Sequence, residues 1–190
     1  MDTKKGFLDK VGFVSFAKPI VAEAADSGAY VTAVALSGLT AGALTIAAQP
    51  DYARTVRGYL TDANATITNG TVTIVGIDQN GNGISDVLTF TAAGAQTSVK
   101  AFAHITSATW ALVTGTVTGT SDTISLGAGA SLGLPAGVGA IYERLVKAAF
   151  DGGDDAGTLS TTYGLYVPAG TMNGAKAVEV TFKYKMPIPA

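Results

Sequence analysis

The chain has no cysteine, which excludes disulfides, thiolate metal sites and cysteine nucleophiles together. It has a single histidine, His104. A catalytic triad or a histidine metal site needs partners, and neither a second histidine nor a Gly-x-Ser-x-Gly elbow is present; His104 is therefore read as structural. Charge is equally scarce: Asp, Glu, Lys and Arg make up 14% of the 190 residues and sum to −2. No basic footprint exists for nucleic acid, and fewer solubilising charges are available than a free-standing domain carries. Such a surface suits life inside an assembly, although an ordinary secreted β domain fits the composition as well. No segment approaches the roughly 18–20 apolar residues of a membrane span, and residues 1–6 lead into no apolar run of signal-peptide length. The expectation is a protein that crosses no membrane by itself.

Hydrophobic residues at 47% and 24 glycines fit short strands, tight turns and close packing. The expected architecture is mainly β, an antiparallel β-sandwich or barrel-like domain over residues 29–190, with an extended N-terminal arm over residues 1–28 and a possible sub-lobe at 136–190. In the arm, Pro19 cannot donate to a central ladder, so an extended arm or edge strand fits best, with a short helix over 21–25 as the alternative. Strands are expected at residues 30–36, 43–47 and 54–61, across most of 98–110, and at 111–118, 122–126 and 176–186. The clearest signal is residues 66–91, where two β-branched runs flank a cluster of Asp, Asn and Gly, the sequence form of a hairpin with a polar tip. Residues 127–139 read as a glycine-rich crossing loop that lacks the strand–helix context or the Gly-Lys-Ser/Thr ending of a phosphate loop. Residues 141–150 repeat apolar side chains at both helical and strand spacing. A hairpin across the Asp- and Gly-rich turn at 151–157, towards 158–163, tips them to strand.

The sharpest site motif is Asp78-x-Asn80-x-Asn82-Gly83-x-x-Asp86. Oxygen donors at alternate positions of a tight turn match the early part of a calcium loop. Thr89 stands where such a loop ends in a bidentate Glu, and strands flank it instead of helices. The favoured reading is a plain turn, with weak calcium binding second. No other metal, cofactor or catalytic residue is assigned. Asp151, Asp154 and Asp155 form the densest carboxylate group, but their glycine spacing marks a solvated turn, whereas acid–base catalysis needs rigid placement. Trp110, Tyr142, Tyr163 and Tyr166 are candidates for a sugar platform, against the more ordinary reading of core or interface aromatics.

Several runs carry a resemblance. Gln49-Pro50-Asp51 with Arg54, then Thr61-Asp62-Ala63-Asn64, continuing through residues 70–76 and 84–88 and later Leu126-Gly127 and Leu132-Gly133-Leu134-Pro135, resemble structural proteins of tailed bacteriophages, in particular capsid decoration (cement) proteins. The resemblance implies a non-enzymatic virion component, made in the host cytoplasm and placed on the outer capsid surface. It would commonly form a homotrimer bracing the major capsid protein, with no direct nucleic-acid partner and no cofactor. The alternatives are a tail tube, adaptor or fibre component, and a carbohydrate-binding adhesion module.

Overall fold

The structure is a computed structural model that describes residues 10–15, 25–135 and 141–186. Among the described residues there are strands and no helix. In chain order they are β1 (Lys10–Ser15), β2 (Val31–Ala35), β3 (Ala41–Leu44), β4 (Arg54–Thr61), β5 (Ile67–Ile77), β6 (Gly83–Phe90) and β7 (Gly94–Phe102). There follow β8 (His104–Gly115), β9 (Thr123–Gly133), β10 (Ile141–Phe150), β11 (Gly153–Asp154), β12 (Thr158–Ser160), β13 (Leu165–Val167) and β14 (Val178–Met186).

Period-two alternation explains most of these strands. In β5, Ile67, Val72 and Ile74 are buried while Thr73, Val75 and Ile77 face outwards, and β6 buries Leu88 and Phe90 while exposing Val87 and Thr89. Such a strand gains stability only if its apolar side meets another apolar surface. The sheet β3-β8-β5-β6 therefore faces a second sheet, β12-β13-β9-β4-β7 with β2 also on β9. Their shared core holds Trp110, Phe90, Ile74 and Leu44 from one side and Val56, Leu60, Leu126 and Val31 from the other. All pairings are antiparallel, so the mainly β, sandwich-like architecture expected is the one observed.

One corner of the sandwich is closed by a side chain. Three residues of β7 have no register partner on β4, between Ala101 opposite Thr55 and Thr97 opposite Arg57. The Val99 and Lys100 amides there donate to Asp86 Oδ2 of β6 at 2.7 and 3.2 Å, while Lys100 Nζ donates to the Ser85 carbonyl. Ser98 Oγ completes the bulge, accepting from the Val56 amide and donating to the Lys100 carbonyl.

The structure corrects two sequence readings. Residues 127–133 are not a crossing loop but the second half of β9. Small residues are required there because neighbours press on the strand: a Cβ at Gly127 would lie 2.4 Å from the Asp26 carbonyl oxygen, and one at Gly129 would lie 2.2 Å from Thr55 Oγ1. Residues 141–150 are strand, but the return across residues 151–152 is only the short β11, and the main partner of β10 is β14. Residues 158–160 pair with β13 instead.

β9 is the member common to both halves of the fold. Its first part lines the sandwich core, and Leu132 near its end joins a second core with Leu134, Tyr166, Met172, Val178, Val180 and Phe182. That core lies under the sheet β1-β14-β10-β11. From the N-terminal arm, residues 10–15 form an edge strand on β14, with Gly12 opposite Tyr184, and Asp26 N donates to the Ala128 carbonyl. The possible helix at 21–25 lies almost wholly outside the described residues.

Candidate functional site

The hairpin of β5 and β6 pairs without a slip from Gly70 opposite Phe90 to Ile77 opposite Gly83, leaving residues 78–82 as its tip. Asp78 organises that tip. Its Oδ1 accepts from the amides of Asn80 and Asn82 at 2.8 and 2.9 Å, and Asn82 Nδ2 donates to its Oδ2 at 3.1 Å. The Gly81 amide closes a turn on the Asp78 carbonyl, with Gly81 in the left-handed region at φ 80°. Asp86 sits further down β6 opposite Ile74, with both oxygens taken by amides, Val87 on one and Val99 and Lys100 on the other. The four residues singled out as a weak calcium loop thus divide: Asp78, Asn80 and Asn82 build a turn, while Asp86 fastens the sandwich corner. Asp78→Ala is expected to lower stability by about 1–2 kcal/mol through its freed amides, seen as a shifted urea midpoint. Added calcium is expected to leave the wild-type thermal midpoint unmoved, and a calcium-dependent rise would restore the metal reading.

The distinctive polar residues between Gln49 and Asn64 also act as fasteners. Gln49 mimics a strand residue at the start of β8, its Oε1 accepting from the Ile105 amide at 2.7 Å and its Nε2 donating to the Ile105 carbonyl at 3.0 Å. Arg54 is wholly buried. Its Nε and Nη2 both donate to the Gly129 carbonyl at 2.9 and 2.6 Å, and its Nη1 meets Asp51 Oδ1 at 3.1 Å. Asp62 accepts from the amides of Thr66 and Ile67, and Asn64 Nδ2 donates to Thr118 Oγ1. The sequence reading missed the partner that completes this cluster: Asp122, fully buried, accepts from the amides of Ala63 and Thr118 at 2.9 and 2.7 Å. The one available signal was its place after the turn-forming run Thr118-Gly119-Thr120-Ser121.

The other candidates disperse. His104 is exposed at the start of β8, opposite Ile77. Asp151 makes a 3.8 Å surface pair with Lys176, while Asp155 accepts from the Tyr166 hydroxyl at 2.7 Å and from the Ala169 amide. Asp155 is therefore a tie beside the second core and not one of a solvated group. Burial, reinforced by that bond and the Asp155 charge, pushes the Tyr166 phenol above the usual tyrosine range, so it stays a donor. Trp110 and Tyr166 are wholly buried in separate cores and Tyr163 is exposed, so these three do not form a sugar platform; the Tyr142 side chain lies outside the described residues. A depression of about 240 Å³ between Asp62, Ile67 and Thr91 is smaller than typical ligand pockets. Among the described residues no three carboxylate or imidazole groups gather as a metal site would require.

What remains is a surface. The strands β3, β5, β6 and β8 contain one charged residue, Asp86, and one histidine. Across the outer side of the sheet, Ala43, Thr109, Thr73 and Val87 share a row. Ser107, Val75 and Ser85 form the row on one side of it, and Ala111, Thr71 and Thr89 continue it on the other. Solvated antiparallel sheets ordinarily turn polar side chains outwards, here Ser and Thr, and the β6 edge carries the Lys100 ammonium on the Ser85 carbonyl. No protein-family model, curated protein or solved structure matches the chain.

Proposed function

We propose that the chain is a non-enzymatic structural protein of a tailed-bacteriophage virion, a decoration protein that binds the outside of the major capsid shell and stabilises it. The observation that carries this reading is the role of the residues on which the resemblance rests. Gln49, Asp51, Arg54, Asp62 and Asn64 are all committed to holding the scaffold together. Distinctive residues placed on rigidity rather than at a reacting centre suit a protein whose work is mechanical. Many weakly bound copies then reinforce a shell through multivalency, and a homotrimer is the assembly the resemblance implies.

The test is direct. Particles lacking this protein are expected to assemble yet rupture at lower temperature or milder osmotic shock than complete particles, and equal robustness would overturn the reading. Mass spectrometry of purified virions separates the alternative: a copy number near that of the major capsid protein fits decoration, and a far smaller one fits a tail component.

A further inference from the structure

We infer that Asn80, at the tip of the β5–β6 hairpin, is a site of spontaneous covalent modification, its carboxamide closing on the Gly81 nitrogen, losing ammonia and opening in water to aspartate and isoaspartate. The chain has five asparagines, and four of them, Asn69, Asn80, Asn82 and Asn173, precede glycine. A following glycine has no Cβ to obstruct the approach to its nitrogen, so the sequence leaves four candidates. The fold separates them.

The reaction requires the Cγ of asparagine to reach the next main-chain nitrogen, and any bond that pins the carboxamide or its neighbours opposes it. Asn69 lies within β5, where Gly70 after it is flanked by Phe90 of β6 and Leu112 of β8. The Asn82 carboxamide donates to both oxygens of Asp78, at 3.4 and 3.1 Å. That of Asn173 accepts from the amides of Ala175 and Lys176 at 3.1 and 3.0 Å. Asn80 is held only through its main-chain amide, on Asp78 Oδ1, and its exposed side chain makes no hydrogen bond among the described residues. The space around Gly81 is open, a Cβ there meeting nothing within 4 Å, and its amide is restrained by one bond, to the Asp78 carbonyl at 3.1 Å. Releasing that bond frees the tip to rotate, a local opening of the kind exposed turns undergo at low cost.

Base removes the Gly81 amide proton and the nitrogen attacks Asn80 Cγ. As the N–Cγ bond forms the Cγ–Nδ2 bond breaks, and Nδ2 leaves as ammonia with a proton from solvent. Water then opens the succinimide ring: breaking the bond just formed gives aspartate, and breaking the original peptide bond gives isoaspartate, whose main chain is one carbon longer. No electrons are transferred, and water is the sole co-reactant. Either product puts a new carboxylate two residues from Asp78, whose Oδ1 organises the tip through the amides of residues 80 and 82. Each conversion therefore adds a negative charge to the tip, and isoaspartate also displaces the amides that Asp78 holds. This inference does not rest on the virion reading, since it concerns the isolated chain.

Peptide mapping by mass spectrometry of the full chain, kept folded in mildly alkaline buffer and sampled over weeks, tests it. Asn80 is expected to gain one mass unit at least about tenfold faster than Asn69, Asn82 or Asn173, a barrier lower by about 1.4 kcal/mol, with isoaspartate found at the same position. In urea the four pairs are expected to react at similar rates, because only the fold tells them apart. Asn80→Gln is expected to abolish the early product with an unchanged circular dichroism spectrum, since glutamine must close a larger ring, and Asn80→Ser serves if that variant folds poorly. Faster conversion at Asn82 or Asn173, equal rates at all four in the folded chain, the same order of rates in urea, or an Asn80 that stays intact while the urea-unfolded chain reacts would overturn the inference.

Discussion

Replacing Arg54 with methionine is expected to remove about 3 kcal/mol of folding stability, read as a lower urea midpoint with an unchanged slope. The side chain is fully buried and gives two donors to one carbonyl, that of Gly129 on β9. Methionine fills much of the volume but leaves that carbonyl without both donors, and an unsatisfied buried acceptor costs on the order of 1–3 kcal/mol. The remainder comes from Asp51, which loses the guanidinium but keeps the Tyr52 amide and, at 26% exposure, recovers some hydration. Arg54→Lys separates the two contributions. An ammonium keeps the charge near Asp51 but cannot present the planar fork to the Gly129 oxygen, so it should recover only part of the loss. Equal stability of the lysine variant and the wild type would show that charge, and not the bidentate geometry, holds β4 to β9.

Arg54 also marks the boundary of what was legible in the sequence. The motif around it stood out as distinctive, yet its meaning lies in partners far along the chain: Gly129, 75 residues away, for Arg54; Ile105, 56 away, for Gln49; Thr118, 54 away, for Asn64. Local pattern exposes a polar residue in an unusual place but not the carbonyl it serves. Where burial alternates with period two, as in β5 and β6, the reading was direct, because the hydrophobic pattern is the cause of the strand. The second half of β9, after the strand expected at 122–126, failed to register for the opposite reason. Gly127, Ala128, Gly129 and Ala130 carry no β-branched signal, and the strand is imposed by neighbours close enough that only glycine fits. β10 stayed ambiguous because Ile141, Leu145 and Ala149 satisfy a helical spacing as well as a strand's. The scarcity of charge was plain in the composition, but its concentration on one sheet became visible only when register placed Thr73, Thr109 and Val87 side by side.

Trp110→Ala is expected to be the most damaging single change in the sandwich, costing about 3–5 kcal/mol. Trp110 heads the largest fully buried side chains and sits in the core between the sheets. Its indole Nε1 donates to the Leu39 carbonyl at 3.2 Å, so the change also strands an acceptor. The indole is seated against the backbone of β5: a Cβ at Gly70 would come within 2.1 Å of Trp110 Cη2 and 2.7 Å of Cζ3. Gly70→Ala alone is accordingly expected to cost about 1–3 kcal/mol by overpacking. The two positions must then be coupled. A phenyl ring at 110 withdraws the outer part of the indole, so Gly70→Ala introduced into Trp110→Phe should cost at least about 1 kcal/mol less than in the wild type, a non-additivity that a double-mutant cycle measures by chemical denaturation. Strict additivity would mean that Gly70 is required by the neighbouring register shift between β5 and β8 and not by the ring. The contact is one-sided, since β5 gives up a side chain so that β8 can carry a large one. That exchange puts the bulkiest group of the chain at the centre of the sheet and leaves Thr71 and Thr73, on the outer side of the same strand, to form the uncharged surface.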